Sequence, residues 1–161
     1  MASERSTALA EDFVAANAEV VAFANSCGEA AWVLPVPGEE WTVGVVVHHI
    51  AEGHANALRW LDEMARGDGV SDTAEGIDEA NALHARRAAG AQQAETVVLL
   101  QENGARLEAL LRSLSDEELD RAAPFGPAGG RALPTGALAA VAARHAREHL
   151  AHARTAVGRE P

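Results

Sequence analysis

The sequence has no lysine, no tyrosine and one cysteine, Cys27, and only 4 % of its residues are aromatic. A lone cysteine excludes an intrachain disulfide and fits a reducing, cytoplasmic setting. With lysine absent, all 13 basic residues are arginine, and they are outnumbered by 24 acidic ones for a formal charge of −11. No run of arginine is dense enough to neutralise successive phosphates, so nucleic acid is not expected as a partner. An anionic membrane surface is disfavoured for the same reason. No uninterrupted apolar stretch approaches the ~18 residues of a membrane span. The N-terminus lacks the basic region and apolar run of a signal peptide. No internal repeat or second core pattern is visible, which makes 1–161 a single expected domain.

What the chain has in abundance is alanine, 37 of 161 residues. Together with leucine, glutamate and arginine, alanine favours helix. A first helix is expected over Ser6–Ser26, where Leu9, Phe13, Ala16, Val20 and Phe23 form one apolar stripe and Gly28 follows. Residues 28–41 carry Pro35, Pro37 and Gly38 and read as a loop, with Trp32, Val33 and Leu34 able to cover one end of the core. Thr42 caps a second helix to Arg66, with Val43, Val47, Ile50, Ala57 and Leu61 in one row. The row beside it holds Val46, His49, Gly53, Trp60 and Met64. After a polar loop at 67–76, a third helix is expected over Ile77–Leu114, with a kink or break near Gly90. Ser115 and Glu118 have capping-box spacing for a short turn to Leu119. A Pro- and Gly-rich loop at 122–134 precedes a last helix from Thr135 to Val157, stopped by Gly158. The resulting expectation is an all-α four-helix bundle.

The chemical signal is histidine. In the last helix Leu138, Ala142, His145, His149, His152 and Ala156 keep the core spacing, so an apolar stripe becomes an imidazole stripe. His145 and His149 stand one turn apart on one face, a spacing suited to two ligands on one metal ion. It is equally the spacing of two half-exposed surface residues. A third ligand must come from another helix, and His49 is the best donor, because Gly53 leaves space one turn away. The H-E-x-x-H zincin pattern is absent: residues 145–149 read H-A-R-E-H. His54, His84 and His152 are candidates for supporting donors or a fourth ligand, with local hydrogen bonding as the alternative. His48 is expected at the surface, with Glu52 a remote candidate to reach the site. Cys27 is a poor nucleophile, since a helix C-terminus disfavours a thiolate. Trp41 is read as packing, and Trp60 and Met64 as core or pocket lining.

The stretch Trp41-Thr-Val-Gly-Val-Val-Val-His48-His49-Ile50 resembles the opening of the second helix in the DinB-like superfamily. There the ligand histidine lies eight residues after the tryptophan, which selects His49 over His48. His145-Ala-Arg-Glu-His149-Leu150 is similar to the paired histidines of that family's last helix. Ile77-Asp-Glu-Ala-Asn81-Ala and Leu114-Ser-Asp-Glu-Glu-Leu119 resemble the branch related to mycothiol-dependent maleylpyruvate isomerase. The resemblance covers roughly residues 7–157. It implies a metal-binding bundle, often dimeric, with His49, His145 and His149 holding a divalent metal, zinc or nickel. It also implies chemistry on small molecules: thiol-dependent transfer or isomerisation with mycothiol or bacillithiol, or hydrolysis protecting against reactive compounds. The isomerase's C-terminal domain has no counterpart here, which weighs against maleylpyruvate isomerisation itself.

Three functions follow as expectations. The first is a metal-dependent enzyme, either a thiol S-transferase or isomerase with a metal-activated thiol, or a hydrolase with metal-activated water. A carboxylate-bearing thiol would call for arginine near the mouth, for which Arg59, Arg144 and Arg147 are candidates. The second is a non-catalytic module binding a metal or small molecule. The third is an interaction protein whose histidines only pack.

Overall fold

The computed structural model describes residues 3–158. The first long helix, α1 (Glu4–Ser26), starts at a reciprocal capping box between Ser3 and Ser6. Phe13, Ala16 and Val20 are fully buried on its inner face. Gly28 is not its stop; it opens a one-turn helix, α2 (Glu29–Trp32), inside the segment expected as loop. Trp32 enters the core, and its indole N–H donates to the Ala91 carbonyl at 2.8 Å. Val33 and Leu34 remain 65 % and 38 % exposed, so Trp32 alone of the three covers that end.

The second long helix, α3 (Val43–Arg66), is capped by the Thr42 hydroxyl and ends at Gly67 with φ 86°, a backbone angle that disfavours a side chain. The third expected helix is two. A separate helix, α4 (Ala74–Arg87), is followed by a turn and then by α5 (Gln93–Ser113). The break falls at the expected glycine, but its consequence is larger than a kink, because α4 leaves the bundle. The only side chain α4 buries is His84. Without an apolar stripe there is nothing to hold α4 in line with α5.

The Ser115–Glu118 capping box forms and starts α6 (Asp116–Asp120). The next segment is a hairpin rather than a loop, with β1 (Ala122–Phe125) antiparallel to β2 (Arg131–Pro134) and Ala123 opposite Leu133. The chain reverses through a short 3₁₀ turn at Gly126–Ala128 and two positive-φ glycines, Gly129 and Gly130. The last helix, α7 (Thr135–Ala156), follows directly, with Thr135 hydroxyl and amide both donating to the Arg121 carbonyl.

The fold is therefore all-α with a small β-hairpin: seven α-helices among the described residues, not a bare four-helix bundle. Its central unit is still built from the four long helices, with α1 and α3 each packed against both α5 and α7. The first and second long helices, α1 and α3, thus lie diagonally across the core, as do the third and fourth, α5 and α7. Ala139, Ala143, Ala146 and Ala153 bring the α7 backbone close to its neighbours. Leu61, Leu100, Leu107, Leu111 and Leu150 fill the interior.

One polar chain crosses this interior. Asn17 of α1 donates to the Leu100 carbonyl of α5 at 3.2 Å and pairs through its Oδ1 with His54 Nε2 of α3 at 2.9 Å. Gly104 makes room for it: a Cβ there would lie 2.3 Å from Asn17 Nδ2. Helix propensity alone would make Gly104→Ala stabilising by about 1 kcal/mol. Displacing a twice-bonded asparagine reverses the sign. Chemical denaturation is expected to show Gly104→Ala destabilised by roughly 1–3 kcal/mol. Gly90→Ala, where nothing lies within 4 Å, is expected to be neutral or slightly stabilising.

Candidate metal centre

The α3–α7 contact carries the site. On α3, Trp41 precedes the cap and packs back on the first turns, its ring 4.8 Å from the ring of His49 and 6.4 Å from that of His149. On α7, His145 and His149 project from successive turns with ring centroids 4.6 Å apart. His49 meets them across the interface, Nε2 to Nε2 of His145 at 3.2 Å. One ligand atom from each of the three rings lies within 4.8 Å of the others. Gly53 permits this approach, since a Cβ there would stand 2.8 Å from His145 Cε1.

The electrostatics suit a cation. Burial first, then the neighbouring imidazoles His145 and His149, lowers the pKa of His49 to about 3. Burial and His149 lower that of His145 to about 4. Burial also lowers that of His149, against the opposing pull of Glu39. All three rings are neutral at pH 7 and offer lone pairs. His149 Nδ1 is buried with no hydrogen-bond partner, a cost that a Lewis acid would remove. Zinc–imidazole bonds of 2.0–2.1 Å on a tetrahedron imply nitrogens about 3.3–3.4 Å apart. The observed 3.2 Å between His49 and His145 is close to that edge. The three residues could therefore hold a divalent ion, with the His49–His145 edge already near the required length.

Above the rings lies a cavity of about 350 Å³. Trp41, Trp60, Ile77, Leu138 and Val141 form its apolar walls, and Asn56 and Asn81 add amide groups. Trp60 lines it while its N–H donates to Asp72 at 2.8 Å; Met64 is fully buried and belongs to the core. Asn56 and Val141 carried no functional signal in the sequence, because they come from different helices and match no spacing rule.

The other candidates separate. His54 is 1 % exposed and lines the cavity floor, bonded to Asn17 and edge-on to Phe13 at 4.9 Å. His152 is at the surface, paired with Glu39 at 2.6 Å, and those two with His149 form a second close group around the same ring. His84 is buried and bonds Glu52 at 2.8 Å, so Glu52 turns away from the triad. His48 is half-buried rather than at the surface, its ring tilted by 34° against that of His84 with centroids 5.1 Å apart. Cys27 is buried at the end of α1 and does not line the cavity. Arg144 pairs with Glu148 and Arg147 with Asp12, both outside the cavity lining. Arg59 lies nearest, beside the cavity's Asn56 and Asn81, but is engaged by Asp72 and Glu63.

The DinB superfamily pattern matches residues 12–153, and the chain belongs to that superfamily. Among solved structures, it is similar to YfiT from Bacillus subtilis, described as a probable metal-dependent hydrolase with an unusual four-helix bundle topology. The two share 23 % identity and a TM-score of 0.76, over 99 % of this chain and 91 % of YfiT. It is also similar to a mycothiol-dependent maleylpyruvate isomerase, with a TM-score of 0.73 and 15 % identity over 91 % of this chain. It spans 60 % of that isomerase's length. Both likenesses are of fold. Comparison with curated protein sequences gives no significant match.

The lowered pKa values fix a sign for stability. Unfolded histidine titrates near 6.5, whereas His49 and His54 titrate at about 3 in the fold. The unfolded chain therefore binds more protons between those values, and stability falls as pH drops through that window. The slope approaches ~1.4 kcal/mol per pH unit for each such ring. Metal-free protein is expected to lose thermal stability steadily from pH 6.5 to pH 4, with a shallower fall in His54→Gln. A flat profile in both would contradict the assigned burial.

Proposed function

We propose that this chain is a metal-dependent enzyme acting on a small molecule, with His49, His145 and His149 as the metal ligands and the cavity above them as the substrate site. The observation that carries this reading is three neutral, half-buried imidazoles converging from two helices at the base of an apolar cavity. A divalent ion there, zinc or nickel, would supply a Lewis acid that brings the pKa of a thiol or water ligand toward neutrality. Three protein ligands leave room for such a ligand.

The chain's own residues do the rest. Trp41 packs against His49 and His149, and with Leu138 and Val141 it gives the cavity apolar walls, which strengthens any charge interaction within. Asn56 and Asn81 offer amide donors and acceptors to orient a polar group of the substrate. No aspartate or glutamate is among the described residues lining the cavity. A nucleophile with a low intrinsic pKa is favoured where no carboxylate lines the cavity to serve as base. We therefore place thiol-dependent transfer or isomerisation first, with mycothiol or a similar low-molecular-mass thiol as cosubstrate. Metal-dependent hydrolysis is the second reading, supported by the likeness to YfiT over nearly the whole of both chains. A cytoplasmic homodimer of single-domain chains, without nucleic-acid or membrane partners, completes the proposal.

Elemental mass spectrometry on untagged protein tests the metal. Near one equivalent or more per chain is expected in wild type, with one equivalent lost in the folded His49→Ala/His145→Ala/His149→Ala variant. Gly53→Ala is expected to stay helical yet bind metal at least ~10-fold more weakly, because its Cβ displaces a ligand ring. Electrophile turnover with and without added thiol then separates the two chemistries. Thiol-dependent product supports transfer, and thiol-independent ester or amide cleavage supports hydrolysis. No turnover of either kind by fully loaded protein would overturn the enzyme reading.

A further inference from the structure

On the other side of His49 from the triad, α3 and α4 enclose a second group of ligand-type side chains. His48 and Glu52 stand one turn apart on α3, and His84 reaches them from α4; one ligand atom from each lies within 4.8 Å of the others. His48 Nδ1 is buried with no hydrogen-bond partner. Glu52 Oε2 lies 2.8 Å from His84 Nδ1. The other nitrogen of His84, Nε2, faces the Val45 carbonyl at 3.5 Å. A ring held in this way, with one nitrogen toward a ligand group and the other toward a backbone carbonyl, has the orientation typical of metal-bound histidine. Arg87 and Glu95 border the same depression with opposite charges, so the Glu52 carboxylate sets its sign.

This group explains how α4 is held. Its single buried residue is His84, and Leu83 is left 46 % exposed. Apart from its contact with the 3₁₀ turn at Gly126–Ala128, this helix has little apolar packing to fasten it. Yet α4 supplies Ile77 and Asn81 to the wall of the cavity. We propose that His48, Glu52 and His84 form a second divalent-metal site of two imidazoles and one carboxylate, separate from the triad, that fastens α4 to α3 and thereby sets one wall of the cavity. The donor set is one that zinc accepts. The site does not depend on the triad reading, since it shares no ligand with it.

The test is zinc titration of the metal-free full chain against a chromophoric chelator, followed by hydrogen exchange of α4. Wild type is expected to take up two equivalents, and Glu52→Gln and His48→Ala one each. Both positions are only half-buried, so these variants should fold, and circular dichroism checks that they do. The triad triple variant is expected to retain one equivalent and still show zinc-induced protection across Ala74–Arg87. Glu52→Gln is expected to lose that protection. Retention of two equivalents by Glu52→Gln, or a single wild-type equivalent that vanishes in the triad variant, would overturn the second site. A single equivalent that vanishes in Glu52→Gln and survives in the triad variant would support the second site and overturn the triad instead.

Discussion

Burying imidazole without burying charge is the constraint on which this structure rests. Three histidines are packed into the α3–α7 contact, where burial and mutual repulsion keep them neutral. Neutral rings can approach to 3.2 Å, as His49 and His145 do; protonated rings could not. That approach in turn demands a glycine at position 53 and the tryptophan that covers His49 from outside. The same contact that closes the bundle thus assembles a set of lone pairs facing one point.

The diagonal order of the long helices puts those lone pairs where they are useful. Because α3 and α7 are direct neighbours although far apart in sequence, histidines 96 residues apart face each other. The polar chain from Leu100 through Asn17 to His54 ties α5, α1 and α3 together beneath the site. Buried networks of this kind hold helices in register when every member is satisfied. The cavity above is closed at its far end by Trp60, whose indole is tied to Asp72 and whose ring meets Phe125 of the hairpin edge-on at 5.6 Å. The cavity is therefore lined by α3, α4 and α7, with the hairpin packed behind Trp60.

Much of this was legible in the residues. Thr42, Gly67 and the Val43–Leu61 row define α3 because cap, stop and stripe agree. The substitution of His145 and His149 for apolar residues at core spacing on α7 marked the site, and Gly53 pointed to His49. Less was legible where local pattern and tertiary role part company. The strands of the hairpin are four residues long and interrupted by Pro124 and Pro134, so no alternation could be read. The departure of α4 from the bundle was hidden because its one buried side chain is the polar His84, which no apolar period reveals. The same polarity made His48 look like a surface residue and Glu52 like a remote triad partner.

The central claim is that His49, His145 and His149 share one ion rather than a hydrogen bond. Anomalous diffraction at the zinc absorption edge, from crystals of the full chain grown with zinc, addresses it directly. The account predicts a peak within bonding distance, about 2.0–2.1 Å, of one nitrogen from each of the three rings. A map with no density between these rings, and with His49 and His145 still in direct contact, would contradict it.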